Sequence, residues 1–179
     1  MKLIILDRDG VINKDSVHSI KSPEEWVPIE GSLEAISLLN KNGYTVVVAT
    51  NQSAIGKKLI SIVTLDNIHK KMQDLLNKKR GKIDKIFYCP HIEEDNCTCR
   101  KPKTGLMQKI KEHYSISLEK IPAIGDSTRD LEAFSKSEAQ PILVRTGNGK
   151  DVEKKKSFTS NTLIFDNLLE ASKFIIKME

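Results

Sequence analysis

Two aspartates, Asp7 and Asp9, stand one residue apart directly after a short apolar run. Alternate side chains of an extended backbone point the same way, and Gly10 permits a sharp turn after the pair. Carboxylates and phosphate oxygens are ligands that Mg²⁺ prefers. Asp7 could attack phosphorus to form an aspartyl-phosphate, while Asp9 acts as acid and then as base. Taken alone, such a pair is more often a loop or capping feature.

Three more polar residues follow predicted strands. Thr50 and Asn51 could donate hydrogen bonds to phosphate oxygens, although a Thr-Asn pair is also ordinary turn chemistry. Asp126 would add a third carboxylate to the magnesium site. In open α/β sheets, ligands bind beyond the carboxyl ends of the strands. These residues and the first aspartates are therefore expected to converge at one edge of the sheet.

All three cysteines lie in one short segment, which in a reducing compartment indicates metal rather than disulfides. Three thiolates and one imidazole form a closed tetrahedral set for structural Zn²⁺, with Cys89, His91, Cys97 and Cys99 as the predicted ligands. The alternative is a loop with free thiols. Zinc would brace the next two residues, Arg100 and Lys101. The lysine could stabilise transition-state charge, and the arginine could bind a second anionic group.

Short apolar strands alternate with amphipathic helices, which predicts an α/β fold with a Rossmann-like parallel sheet flanked by helices. The predicted strands are Leu3–Leu6, Tyr44–Ala49, Ile83–Tyr88, Ile121–Ile124, Pro141–Val144 and Leu163–Phe165. Helices are predicted over 32–42, from a cap at Thr64 to just before Gly81, over 104–113 and 127–134, and at the end of the chain. Ser127 and Asp130 have the spacing of a capping box. We expect one domain over residues 1–179.

The composition is that of a soluble globular protein, with 39% hydrophobic and 30% charged residues. No apolar run is long enough to span a membrane, and the segment before Asp7 is too short for a signal peptide. We therefore expect a cytoplasmic protein with no membrane partner. The net charge of +5 favours a phosphorylated substrate. The short basic clusters at 78–80 and 154–156 indicate solvated surface rather than a nucleic-acid site.

Together, these motifs resemble those of the haloacid dehalogenase superfamily of phosphohydrolases. The resemblance rests on Asp7-x-Asp9, Thr50, Lys101 and Gly125-Asp126-Ser127-x-x-Asp130, in this order across most of the chain. Cys-Pro-His, Cys-x-Cys-Arg-Lys-Pro and Thr-Asn-Gln are similar to the branch of heptose-bisphosphate 7-phosphatases and histidinol-phosphatases. Residues 9–13, 20–26, 28–36 and 143–147 resemble the heptose enzymes in particular. The short insertions between motifs predict no separate cap domain.

The resemblance implies a role for each matching residue. Asp7 would be the nucleophile and Asp9 the acid/base, Thr50 and Lys101 would assist catalysis, and Mg²⁺ would be held by Asp7, Asp126 and the Asp9 carbonyl. The implied substrate-binding residues are Asp15, Ser16, Val17, His18, Asn51, Gln52, Ser53, Arg100 and Ser127.

The implied reaction removes the 7-phosphate of D-glycero-D-manno-heptose 1,7-bisphosphate and supplies heptose for a bacterial surface polysaccharide. The alternatives are hydrolysis of histidinol phosphate and a non-catalytic, zinc-braced binding module. We expect a monomer.

One segment departs from the family pattern. The family reads Asn-Gln-Ser-Gly-Ile-Ala-Arg-Gly, whereas residues 51–58 read Asn-Gln-Ser-Ala-Ile-Gly-Lys-Lys. Lys57 keeps the charge of the family arginine but loses its planar fork, which bears on substrate choice. His18, His69 and His113 are predicted to lie at the surface or partly buried, without a catalytic role.

Overall fold

A six-stranded parallel sheet forms the centre of the structure, a computed structural model that describes residues 1–178. Its strands are β1 (Lys2–Leu6), β2 (Tyr44–Asn51), β3 (Lys85–Cys89), β4 (Pro122–Gly125), β5 (Gln140–Val144) and β6 (Leu163–Phe165). The spatial order is β3-β2-β1-β4-β5-β6. The chain thus winds outward from β1 in one direction and from β4 in the other. The crevice between β1 and β4 is the switch point where α/β sheets bind ligands.

Helices cover both faces of the sheet. They are α1 (Ser32–Lys41), α2 (Ile62–Lys78), α3 (Gly105–Tyr114), α4 (Thr128–Lys136), α5 (Gly149–Lys155) and α6 (Leu168–Lys177). Side chains alternate between the faces of a strand, so Ile4 and Leu6 join the core under α1, α2 and α6, while Leu3 and Ile5 join the core under α3, α4 and α5. None of the described helices is long and apolar enough to cross a membrane.

The predicted parallel α/β sheet is confirmed, and three of its element boundaries are corrected. Thr64 does not cap α2, because the helix begins at Ile62 and the Ser61 side chain accepts a hydrogen bond from the Thr64 N–H at 3.0 Å. Strand β2 extends through Asn51, since its last residues pair with the end of β3. Strand β3 begins at Lys85 rather than Ile83.

Helix α5 was not predicted from the sequence. Within it, Gly149 and Val152 are buried, and Val152 contributes the helix's apolar side chain to the core. One apolar position in two turns gives no helical period to detect. The helix matters for the site because the loop before it contacts Asp126, directly after the carboxyl end of β4.

Candidate active site

Three buried aspartates meet at the carboxyl edge of the sheet. Asp7 follows β1, Asp126 follows β4, and Asp130 lies in the first turn of α4. One carboxylate oxygen from each lies within 4.8 Å of the others, and no more than 8% of any of the three residues is exposed. The convergence of Asp7 and Asp126 follows from the placement of their strands on either side of the switch point.

Lys101 is the buried counter-charge of this cluster. Its Nζ lies 3.0 Å from Asp7 Oδ1 and 2.6 Å from Asp130 Oδ1, and it donates to the Ala49 carbonyl at 2.6 Å. Asp7 Oδ1 accepts no well-directed hydrogen bond from the described residues. When ionised, three carboxylates and one ammonium leave two negative charges uncompensated. A buried, oxygen-rich site with two excess negative charges suits one divalent cation such as Mg²⁺.

The same crowding shifts the pKa values of the cluster. Burial, reinforced by the charge of Asp130, raises the pKa of Asp7 to about 7 and that of Asp126 to about 8. Burial disfavours the Lys101 ammonium, but Asp130 and Asp7 outweigh it and raise the pKa of Lys101. Without a cation, the cluster therefore holds protons that a bound metal ion would displace.

Two glycines and a polar loop fix the position of Asp126. Gly10 and Gly147 have positive φ angles of 81° and 55°, and a Cβ at either would collide with the Asp126 carboxylate. The Asn148 backbone N–H and Nδ2 donate to Asp126 Oδ2 at 2.7 and 3.0 Å. The Thr146 hydroxyl donates to the Gly10 carbonyl at 2.7 Å. The loop after β5 thus closes over the end of β1 and orients Asp126.

The Asp9 carboxylate lies beside the cluster and accepts hydrogen bonds from a separate group of side chains. Arg8 Nη2 donates to both of its carboxylate oxygens at 2.9 and 3.0 Å. Asn13 Nδ2 donates to Oδ1 at 2.9 Å, and Gln52 Nε2 donates to Oδ2 at 2.8 Å. Burial favours protonation of Asp9, but the charge of Arg8 and these donors outweigh it and lower its pKa. The Asp9 side chain stays 21% exposed and lines the same cleft as Asp7.

The segment of residues 89–101, here called the cysteine loop, gathers four metal-ligating atoms. Five of the six distances between the Sγ and Nδ1 atoms lie between 3.1 and 3.6 Å for the set Cys89, His91, Cys97 and Cys99. Tetrahedral Zn²⁺ with Zn–S bonds of about 2.3 Å holds its sulfurs about 3.8 Å apart. The three thiols are free, so the set fits a zinc ion with small adjustments.

The cysteine loop is joined to the carboxylate edge through its last two residues. The Arg100 N–H donates to Cys97 Sγ at 3.4 Å. Although burial opposes it, this bond and the neighbouring sulfurs lower the pKa of Cys97 to about 7. Asn51 pairs its amide with the Lys101 backbone in both directions, at 3.0 and 3.1 Å. The position of Lys101 therefore depends on both the cysteine loop and β2.

The carboxylate cleft, formed around Asp7, collects most of the substrate-binding residues expected from the sequence. Asp15, Ser16, Asn51, Gln52, Ser53, Arg100 and Ser127 all line it, together with Asp9, Thr50, Lys101 and Asp126. Val17 and His18 do not line it, and Val17 is 98% exposed. Lys57 is exposed and also lies outside this lining.

Two amide side chains that were predicted to bind substrate already make hydrogen bonds within the protein. The Asn51 side chain holds the Lys101 backbone, as described above. The Gln52 side chain donates to Asp9 and to Thr50 Oγ1 at 3.0 Å, and accepts from Arg8 at 3.0 Å. Both amides thus order neighbouring groups in this structure.

Comparison with known proteins gives a consistent picture over the whole chain. Residues 2–166 match the sequence profile of the polynucleotide kinase 3 phosphatase family. The chain is 48% identical over 176 residues to D-glycero-beta-D-manno-heptose-1,7-bisphosphate 7-phosphatase of Pseudomonas putida, covering 98% of this chain and 100% of the relative. The relative of the same name from Neisseria meningitidis serogroup A is 44% identical over 179 residues, with 99% and 96% covered. The chain belongs to the polynucleotide kinase 3 phosphatase family and, within it, to the heptose-bisphosphate 7-phosphatases.

A solved structure matches this chain over its whole length. It is the crystal structure of D,D-heptose 1,7-bisphosphate phosphatase from B. bronchiseptica, complexed with magnesium and phosphate. The TM-score is 0.99 and the identity 42%, with 100% of both chains covered.

Several residues of the site escaped the sequence analysis. Asp130 belonged to the predicted Gly125-Asp126-Ser127-x-x-Asp130 motif, but its only predicted role was to pair with Ser127 in a capping box. The structure contains this capping box, with Ser127 N–H and Oγ donating to Asp130 Oδ2 at 3.1 and 2.6 Å. Its second oxygen contacts Lys101. Arg8, Asn148 and Arg129 were also missed. The signal for Arg8 was its place between the two aspartates that follow β1, whereas Asn148 lies in a turn without any pattern.

Proposed function

We propose that this protein removes the 7-phosphate of D-glycero-D-manno-heptose 1,7-bisphosphate through an aspartyl-phosphate on Asp7. The observation that carries the proposal is the buried Asp7–Asp126–Asp130 cluster with its single lysine, found in a chain that matches heptose-bisphosphate phosphatases over its whole length. When bound at Asp7, Asp126 and the Asp9 carbonyl, Mg²⁺ neutralises phosphate charge so that a carboxylate can approach phosphorus.

In the first step, Asp7 attacks phosphorus and the bond from phosphorus to the sugar oxygen breaks. Asp9 gives its proton to that oxygen. In the second step, Asp9 takes a proton from the water that attacks the aspartyl-phosphate, which releases inorganic phosphate and restores Asp7. Lys101 and Thr50 hold the oxygens of the transferred phosphate throughout.

The hydrogen bonds to Asp9 bear on both of its roles. Its lowered pKa makes the resting side chain a carboxylate, which is the form that activates water. An anionic phosphate bound in the cleft raises a neighbouring carboxyl pKa by like-charge repulsion. Proton uptake by Asp9 is therefore tied to the arrival of substrate.

We also propose that the cysteine loop binds structural Zn²⁺ through Cys89, His91, Cys97 and Cys99. Four protein ligands leave no open position, so this metal braces the loop and takes no part in the reaction. Its contribution to activity is the placement of Arg100 and Lys101. We further propose that the chain is a single domain that works as a cytoplasmic monomer, without a nucleic-acid or membrane partner.

A substrate panel tests the proposed function. Heptose 1,7-bisphosphate, histidinol phosphate and a 3′-phosphorylated oligonucleotide are compared by kcat/KM with Mg²⁺ present. We expect heptose bisphosphate to exceed both others by about 100-fold or more, because a site built for its polar groups rejects substrates that leave those groups unpaired. Phosphorus NMR of the product should show that the 1-phosphate remains. A preference for either other substrate contradicts the proposal.

A further inference from the structure

Arg8 is a fully buried arginine that lies between Asp9 and helix α2. One edge of its guanidinium faces Asp9, where Nε donates to Oδ1 at 3.1 Å beside the two bonds from Nη2. Nη2 also donates to Gln52 Oε1 at 3.0 Å. A buried guanidinium needs partners for its N–H groups, since each unpaired donor is costly away from water. The remaining nitrogen, Nη1, faces away from Asp9.

His69 supplies the partner for Nη1. Its Nε2 lies 3.1 Å from Arg8 Nη1, and the residue is half-buried on α2. Because an arginine can only donate, Nε2 accepts and the proton of the neutral ring is on Nδ1. Burial and the charge of Arg8 lower the pKa of His69 to about 3, which keeps the ring an acceptor. The Tyr88 ring packs nearby, with its centroid 6.3 Å from that of His69.

The guanidinium transmits this contact because it is planar and rigid. When His69 holds Nη1, the orientation of the opposite edge, formed by Nε and Nη2, is fixed as well, and so is the direction of its hydrogen bonds to a carboxylate. That edge makes a forked contact with Asp9, and Gln52 closes the arrangement by bonding both partners. The result is a chain of contacts from α2 to the acid/base residue, with no part in binding phosphate directly.

We propose that His69 is a positioning residue, which orients the Asp9 carboxylate for proton transfer by holding the Arg8 guanidinium. This inference rests on the acid/base role given to Asp9 above. It concerns a residue that the sequence alone placed outside the motifs. Loss of the acceptor should leave Asp9 in the cleft but poorly directed toward the leaving oxygen.

Leaving-group dependence tests this role. A sugar alkoxide needs a proton to leave, whereas p-nitrophenolate leaves without one, so only the first reports on the general acid. His69→Phe keeps a ring but removes the acceptor, and His69→Gln places an amide oxygen near the position of Nε2. The rate of the first step is measured by rapid mixing, as release of sugar phosphate or of p-nitrophenolate.

We expect His69→Phe to slow sugar release about tenfold with KM unchanged, a part of the 10²–10⁴-fold that a general acid supplies. Release of p-nitrophenolate should stay within about twofold of wild type, and His69→Gln should restore most of the sugar rate. His113→Phe is the matched control, because His113 contacts only the Phe87 and Tyr114 rings among the aromatic pairs of the described chain.

Asp9→Asn separates the inference from the proposed function. If Asp9→Asn slows both substrates alike or neither, the acid role of Asp9 is wrong and the inference fails with it. If Asp9→Asn is selective for the sugar but His69→Phe is not, only the inference is overturned. Should His69→Phe fail to fold by circular dichroism, His69→Asn decides, because its shorter side chain cannot reach Arg8 and a wild-type sugar rate would refute the proposal.

Discussion

The carboxylate cluster and the cysteine loop are both sets of candidate metal ligands, yet they are assembled in opposite ways. The ligands of the cysteine loop come from one short stretch of chain that begins at the last residue of β3, and their ligand atoms all lie within 4.8 Å of one another. The carboxylates of Asp7, Asp126 and Asp130 come from the ends of β1 and β4 and from α4.

Their surroundings differ in the same sense. The four soft ligands of the cysteine loop would fill every coordination position of a zinc ion. The carboxylate cluster instead faces an open cleft and carries excess negative charge. A closed local set contributes stability, and an open set drawn from distant segments leaves room for substrate. Mutation of the carboxylate cluster should therefore change mainly activity, and mutation of the cysteine loop should change mainly stability.

The largest expected effect is the loss of activity in Asp7→Asn. Removal of a covalent nucleophile should lower kcat by a factor on the order of 10⁴ or more. Thermal stability should not fall, because the change removes one of three crowded carboxylates. Steady-state assays and thermal unfolding check both parts. Asp74→Asn, at an exposed site on α2, is the matched control. Activity near that of wild type in Asp7→Asn would refute the mechanism.

Cys97→Ser should have the opposite signature. We expect loss of bound zinc and a fall in unfolding free energy of about 3 kcal/mol or more, beyond the usual range for one substitution. Elemental analysis should find one zinc per wild-type chain, and chemical denaturation measures the loss. Thr98→Ser, at the exposed neighbouring position, should keep both the metal and the stability. Full stability in zinc-free protein would argue against a structural metal.

A weaker effect is expected from Asn148→Ala, which removes a side-chain donor to Asp126 but keeps the backbone donor. Groups that orient metal ligands typically contribute 10–100-fold to metal affinity, so the Mg²⁺ concentration for half-maximal activity should rise by about tenfold. Magnesium titration of the activity measures the shift. Asn67→Ala on the exposed side of α2 should leave the titration curve unchanged. An unaltered curve for Asn148→Ala would mean that the backbone N–H suffices.

The smallest effect concerns pH in magnesium-free protein that retains its zinc. The pKa values of Asp7 and Asp126 are raised to about 7 and about 8, so folding takes up protons and stability is lost as the pH rises through that range. We expect Tm to fall by about 2–4 °C between about pH 7.5 and pH 9, and Mg²⁺ to abolish the fall. Asp126→Asn should flatten the profile, whereas a profile identical to wild type would contradict this origin.

The contrast also explains what could be predicted from the sequence. The cysteine loop was recognised from spacing because its ligands are neighbours in the chain. Asp7 and Asp126 were found because each follows an apolar run that reads as a buried strand. Their convergence then followed from the general rule for parallel sheets.

The remaining parts of the site depend on contacts without local signals. Asn148 reaches Asp126 only because β5 lies beside β4, and His69 reaches Arg8 only because α2 packs under β1. Asp130 combines a helix-capping contact, visible in the sequence, with an ion pair to Lys101 that is not. The exposed position of Val17 is set by the path of its loop, which has no periodic pattern.

The central position of β1 has a consequence for synthesis on the ribosome. The strand that carries Asp7 is made before the other five strands of the sheet. It can pair with β2 once α1 and β2 have been made, but its other neighbour is β4. At 5–20 residues per second, the second edge of β1 waits on the order of 10 s before β4 has been translated. Every ligand of the cysteine loop is translated within that interval. The nascent chain can therefore acquire its proposed zinc while half the sheet is unmade, and it gains a catalytic site only after β4 and α4 arrive.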